Sequence, residues 1–181
     1  LPTIQSRCLI MEFRPLSNSI VEEFLRTQGQ VPDYLAKASA AFAQGNLGKA
    51  MRYAKSEDFI ETKDMILNLL RHVQDMTVSD MLENIKELGT RKDEVRDYID
   101  LMELWYRDVL IFKATKNINQ LIFQDESTNI AKEASLRGYE QIEHIMQAFE
   151  KAKVRLKANV NFEVTMESVS YTHLTLPTNS L

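Results

Sequence analysis

The chain has 181 residues, 44% of them hydrophobic, and its 22 basic and 26 acidic residues leave a formal net charge of −4. That length and apolar content suffice for a real core in one large or two small domains, and the acidic balance excludes a chain-wide basic footprint for nucleic acid. No apolar run approaches the roughly 20 residues needed to cross a bilayer, and the start lacks a signal-peptide pattern. The single cysteine forms neither an intrachain disulfide nor a cysteine metal cluster and fits a reduced, cytoplasmic compartment.

The chain opens on Pro2-Thr3-Ile4-Gln5-Ser6-Arg7-Cys8. Behind it, residues 9–13 alternate in the manner of a strand and Pro15 closes them, so one short strand is expected there. By residue type alone Arg7 is an ordinary exposed arginine and Cys8 a small buried hydrophobe.

From Ser17 onward the spacing is helical. Ser17 is placed to cap a first helix, with Leu16 and Val21 as a hydrophobic staple, whose apolar face is Ile20, Val21, Phe24 and Leu25 and which Gly29 stops. Pro32 suits the first turn of a second, alanine-rich helix carrying Tyr34, Leu35, Ala38, Ala41 and Phe42 and ending at Gly45. A third short helix presents Leu47, Ala50, Met51 and Ala54. Together they make a small three-helix bundle.

The helices lengthen from about Glu57. Phe59, Ile66, Leu69, Leu70 and Val73 share a face. Thr77 can cap the next helix, with Val78, Met81, Leu82, Ile85 and Leu88 in register before Gly89. The stretch 94–115 is apolar nearly all round and includes Trp105, which predicts the central helix of a bundle. On it Glu103 and Arg107 stand four residues apart, as an ion pair would. A further helix is expected from a cap near Ser127. A long amphipathic helix over 139–158 carries Ile142, Ile145, Met146, Phe149, Ala152 and Leu156, and a last one starts at Phe162 and fades near Glu167. The fold class is therefore all-α, with one short residual strand, a three-helix bundle and a multi-helix bundle. Residues 168–181 lack helical period and charge balance and read as a non-native or disordered tail.

Catalytic constellations are scarce. His72, His144 and His173 have no partner at metal-ligand spacing, and the acidic pairs Glu22-Glu23 and Asp93-Glu94 sit near helix starts, where the dipole favours them. No hydrolase elbow or zincin motif occurs. Nothing here makes an enzyme by itself.

Ser6-Arg7-Cys8, with the Pro15-Leu16 turn behind it, resembles the Ser-Arg-Cys segment that closes the nucleotide-binding domain in AAA+ clamp-loader subunits. The three-helix module, the Gly45-Asn46-Leu47-Gly48-Lys49-Ala50 stretch and the Trp105-Tyr106-Arg107-Asp108-Val109-Leu110 stretch extend the resemblance to about Glu167, in that family's order. The resemblance implies that residues 1–13 end an AAA+ domain whose upstream part is missing, that 14–56 form the lid, and that 57–167 form the helical collar that assembles the loader ring. It implies that Arg7, supported by Ser6 and Cys8, is an arginine finger donated in trans to a neighbouring ATP site. A permanently charged, planar guanidinium suits that task.

In the ATP-hydrolysing relatives a sensor arginine stands where this chain has Gly48, and Lys49 points about 100° further round the helix. The likeness is thus to a non-hydrolysing subunit. It implies no cofactor of its own and no membrane contact. The implied partners are the motor (gamma/tau) and delta subunits, with the sliding clamp and primed DNA reached through the assembly, inside a cytoplasmic DNA polymerase III holoenzyme. Two other readings stay open on the residues alone: an ATPase motor subunit of the same loader, and a helical protein-interaction adaptor unrelated to nucleotide chemistry.

Overall fold

The computed structural model describes residue 3, residues 6–90 and residues 95–170. Among them the fold is all-α. The chain divides into two compact units, Leu1–Ser56 and Glu57–Leu181.

The first unit contains α1 (Asn18–Thr27), α2 (Asp33–Ala43) and α3 (Leu47–Lys55), each packed on the other two. Ser17 Oγ caps α1 by accepting from the Ile20 amide at 3.4 Å, and Asn46 Oδ1 caps α3 by accepting from the Lys49 amide at 2.9 Å. Val21 and Leu25 are buried, but Ile20 is 52% exposed and leaves the expected face. The buried line of α2 is Ala36, Ser39, Ala40 and Ala43 with Phe42, whereas Leu35, Ala38 and Ala41 are only half-buried. An alanine-rich helix has almost no polar side to orient it. Its smallest residues turn inward because they allow the closest helix approach. On α3 the buried pair is Ala50 and Tyr53, the latter outside the expected set.

The expected strand is absent: residues 9–13 are irregular, and Leu9 and Phe13 stand 89% and 91% exposed. A strand exists only through its ladder, and no backbone hydrogen bond joins this segment to another described one.

The second unit is built around α6 (Val95–Thr115), which packs against α4 (Glu57–His72), α7 (Ser127–Leu136) and α8 (Tyr139–Lys157); α5 (Val78–Gly89) packs on α9 (Phe162–Val169), which also rests on α8. The interior includes Tyr98, Met102, Trp105, Tyr106 and Val109 of α6, Ile66 and Leu70 of α4, and Ile142, Ile145 and Phe149 of α8. These are the faces that helical spacing predicts. Thr77 starts α5 with a full capping box: its hydroxyl accepts from the Asp80 amide at 3.2 Å and its own amide donates to Asp80 Oδ2 at 2.9 Å.

Two local expectations change. Ser127 does not cap α7; it is already helical, with φ −53° and ψ −35°. The last helix passes residue 167, with Val169 and Ser170 both buried, so residues 168–170 belong to the folded unit. The remainder of the expected tail, 171–181, lies outside the described residues.

Candidate functional site

Ser6 and Arg7 occupy an exposed turn in which Ser6 Oγ donates to the Thr3 carbonyl at 3.2 Å. The Arg7 side chain forms no ion pair with a described residue. Cys8 is exposed and unpaired, not the buried hydrophobe that its residue type suggests. Residues 6–14 are all exposed and none of them is helical.

The irregular segment acquires a fixed position at Leu16. Its amide donates to the Gly45 carbonyl at 3.0 Å, in the turn between α2 and α3. Gly45 has φ +80°, and a Cβ there would lie 2.4 Å from the Leu16 carbonyl oxygen and 2.7 Å from both the Leu16 nitrogen and Pro15 Cβ. Only glycine fits a left-handed turn with another backbone lying directly on it. The structure therefore joins the Pro-Leu turn that follows Arg7 to the glycine that opens the Gly45–Ala50 stretch.

Gly48 stands in the first turn of α3 and is exposed. A Cβ there would meet only Asn46 Oδ1, at 3.4 Å, so no steric demand of the fold requires glycine at this position. Lys49 turns away from it, its Nζ lying 5.9 Å from the centroid of the Tyr53 ring. Arg52 approaches the same ring at 5.4 Å.

The second unit places its strongest polar interactions in and around the core. Asp108 is fully buried. Its Oδ2 accepts from the amides of Ile122 and Phe123 at 2.7 and 2.8 Å, and its Oδ1 accepts from Arg107 at 2.8 Å. Burial pushes the Asp108 carboxyl above the ordinary range, against the pull of the two amides and of Arg107. This arrangement corrects the expected Glu103–Arg107 pair. Arg107 turns to the neighbouring buried carboxylate, and Glu103 instead binds Lys153, which also lies 3.1 Å from Asp100.

A second interior set is Tyr106, Glu133 and Arg137. The Tyr106 hydroxyl donates to Glu133 Oε1 at 3.2 Å, Arg137 Nε donates to the same oxygen, and the guanidinium carbon lies 5.9 Å from the Tyr106 ring centroid. Burial, then the Glu133 charge, raise the Tyr106 phenol far above its ordinary value. A third set joins α4 to the turn before α7. Arg71 engages both carboxylate oxygens of Glu126, and Asn129 Nδ2 adds a bond of 2.9 Å. The arginine hydrogen bond holds the Glu126 carboxyl below its ordinary value.

None of these three sets was anticipated from sequence, although the Arg107-Asp108 pair between the apolar runs 104–106 and 109–112 and the four-residue spacing of Glu133 and Arg137 were visible signals. They fix elements to one another and expose no reactive atom. His72 and His144 are exposed on helix surfaces, and His173 lies outside the described residues. Among the described residues no group of three or more His, Cys, Asp or Glu side chains is placed to hold a metal, and no helix is long and apolar enough to cross a membrane.

No family model matches the chain. No solved structure matches it either. The chain is similar to DNA polymerase III subunit delta′ of Bacillus subtilis (strain 168), with 27% identity over 179 residues, covering 92% of this chain and 51% of that protein. It thus spans about half the length of the curated relative it matches.

Proposed function

We propose that the chain is the lid and collar portion of a bacterial clamp-loader subunit of the delta′ type, which helps to place a sliding clamp on primed DNA. The observation that carries this reading is the similarity to the Bacillus subtilis subunit over 92% of the chain. In it, residues 14–56 are the lid and 57–167 the collar that binds the motor and delta subunits. Residues 1–13 close an AAA+ domain, and the cytoplasmic setting follows from replication. Arg7 reaches in trans to the ATP site of the adjacent motor subunit. Its exposure on a turn outside the helical bundle supports that role, because a finger must be free of its own fold to reach a partner's phosphates. Gly48 supports a subunit that does not itself hydrolyse ATP, since a bare α-carbon at this exposed position offers nothing to a phosphate.

The test is DNA- and clamp-dependent ATPase of a loader reconstituted with the full-length subunit. Arg7→Ala should leave assembly intact and slow hydrolysis at the facing site. Arginine fingers contribute on the order of 10³ to 10⁵ in rate, and the loss reads smaller in a ring whose other sites keep theirs. Arg7→Lys should restore activity only in part, because a point charge lacks the forked donors. Normal hydrolysis and clamp loading with Arg7→Ala would remove the finger assignment. Failure of the wild-type subunit to enter a loader would remove the whole reading.

A further inference from the structure

Within the second unit, α6 and α8 border a groove of about 730 Å³. Leu110 of α6 and Met146 of α8 supply its apolar floor, Tyr139 stands 54% exposed at one end, and Glu103, Glu143 and Glu150 place three carboxyl groups along it. The α8 residues recur at 139, 143, 146 and 150, so one continuous stripe of that helix faces the groove for three turns, on the order of 16 Å at 1.5 Å per residue.

The charge of the stripe is unbalanced. Among the described residues Lys151 is the one cation lining it, and Lys153 beside it is shared among Glu103, Asp100 at 3.1 Å and Glu150 at 3.8 Å. Burial raises the Glu103 carboxyl; the Lys153 hydrogen bond opposes the rise and the neighbouring Glu150 adds to it. Carboxyl groups therefore crowd here with too few cations. Lys113 lies 5.3 Å from the Tyr139 ring centroid, but its ammonium is directed to the Ala134 carbonyl at 2.7 Å.

We propose that this groove docks an amphipathic helix of a partner protein, with an apolar stripe seated on Leu110, Met146 and Tyr139 and with flanking Lys or Arg side chains set against Glu143 and Glu150. Three physical features select that occupant. The apolar strip is open along its length and matches about three helical turns, the shape of helix-in-groove recognition. Methionine at its centre adapts to a range of apolar side chains. The surplus acid disfavours an acidic helix and draws a basic one, since like charges brought together at an interface repel and opposite ones steer the encounter. This inference goes beyond the clamp-loader reading and does not rest on it.

The experiment uses the full chain and two fluorescent helical peptides of about four turns, each with the same leucine and alanine stripe. One is flanked by Lys and Arg and the other by Glu, and binding is read by anisotropy. The basic peptide should bind, should weaken with added salt, and should lose about tenfold in affinity to the double variant Glu143→Gln/Glu150→Gln. Both positions are exposed, so the variant's melting temperature should match that of the parent. The charge-reversed double variant Glu143→Lys/Glu150→Lys should exchange the preference and take the acidic peptide. Binding of neither peptide, equal binding of both, or unchanged basic-peptide affinity in the reversed variant would overturn the proposal.

Discussion

The Leu16 amide lies 3.0 Å from the Gly45 carbonyl, and this one bond, reinforced by the close fit of Pro15 and Leu16 over the glycine, anchors the start of the three-helix unit. Residues 6–14 ahead of it are irregular and exposed; the chain behind it enters α1 through the Ser17 cap. Any displacement at Gly45 is therefore passed to the point where the Arg7 segment joins the fold.

Gly45→Ala should destabilise this unit by about 1–3 kcal/mol, because alanine is strained at φ +80° and its methyl would collide with Leu16 backbone atoms. Gly48→Ala is the matched control. Its new methyl meets nothing closer than 3.4 Å, and alanine is the better helix former, so stability should hold or rise by up to about 1 kcal/mol. Thermal melts of the two variants decide the matter, and equal melting temperatures would contradict the close contact.

The long helices were legible in the sequence because their apolar residues keep strict spacing against a polar background. Ile66, Leu70, Ile85, Ile142 and Phe149 are all buried where periodicity puts them. Periodicity could not orient α2, in which alanines recur on every side of the helix. It also misread residues 9–13, whose alternation describes a strand only if another strand lies beside it. Ile20 follows helical spacing and still faces outward, since a three-helix unit has too little interior to cover every apolar residue. Pairing rules failed at Arg107 because the neighbouring buried Asp108 carboxylate takes its guanidinium while the half-buried Glu103 four residues away is engaged by Lys153. Of the candidate site, the Ser6-Arg7-Cys8 segment and Gly48 were visible as wording. The contact of Pro15 and Leu16 with Gly45 joins positions about thirty residues apart, and no local pattern encodes it.

Acid should loosen the second unit through Glu126. Its carboxyl is held below the ordinary value by the Arg71 hydrogen bond, so the contribution is fully present above the unfolded-state pKa, near 4.5, and is lost as pH falls through the lower folded-state value. Glu126→Gln should cost roughly 1–2 kcal/mol at pH 7, the charge-assisted range discounted because the Arg71 side chain is 37% exposed. It should cost progressively less below pH 4. Urea melts at pH 7, 5 and 3 measure this convergence. A penalty independent of pH would show that the carboxylate charge contributes nothing.

The interior set of Tyr106, Glu133 and Arg137 supports a thermodynamic cycle. Arg137 is 2% exposed and Glu133 7%, so two opposite charges are removed from water together and stabilise one another at close range. Arg137→Met removes the cation and leaves the Glu133 carboxylate with the Tyr106 hydroxyl as its side-chain partner among the described residues, which should cost about 3–5 kcal/mol. Glu133→Leu removes the carboxylate that Arg137 Nε donates to and should also be strongly destabilising. The double variant Glu133→Leu/Arg137→Met strands neither charge. Its penalty should therefore fall well below the sum of the two, and below either single change where the new side chains fill the space, because the desolvation of both ions is recovered. Tyr106→Phe in the parent should cost about 1 kcal/mol for the lost hydroxyl bond and almost nothing in the Glu133→Leu/Arg137→Met background, where both polar neighbours of the hydroxyl are gone. Denaturant unfolding of the five variants gives every arm of the cycle. Strict additivity of Glu133→Leu and Arg137→Met would mean that the two side chains do not act as a pair.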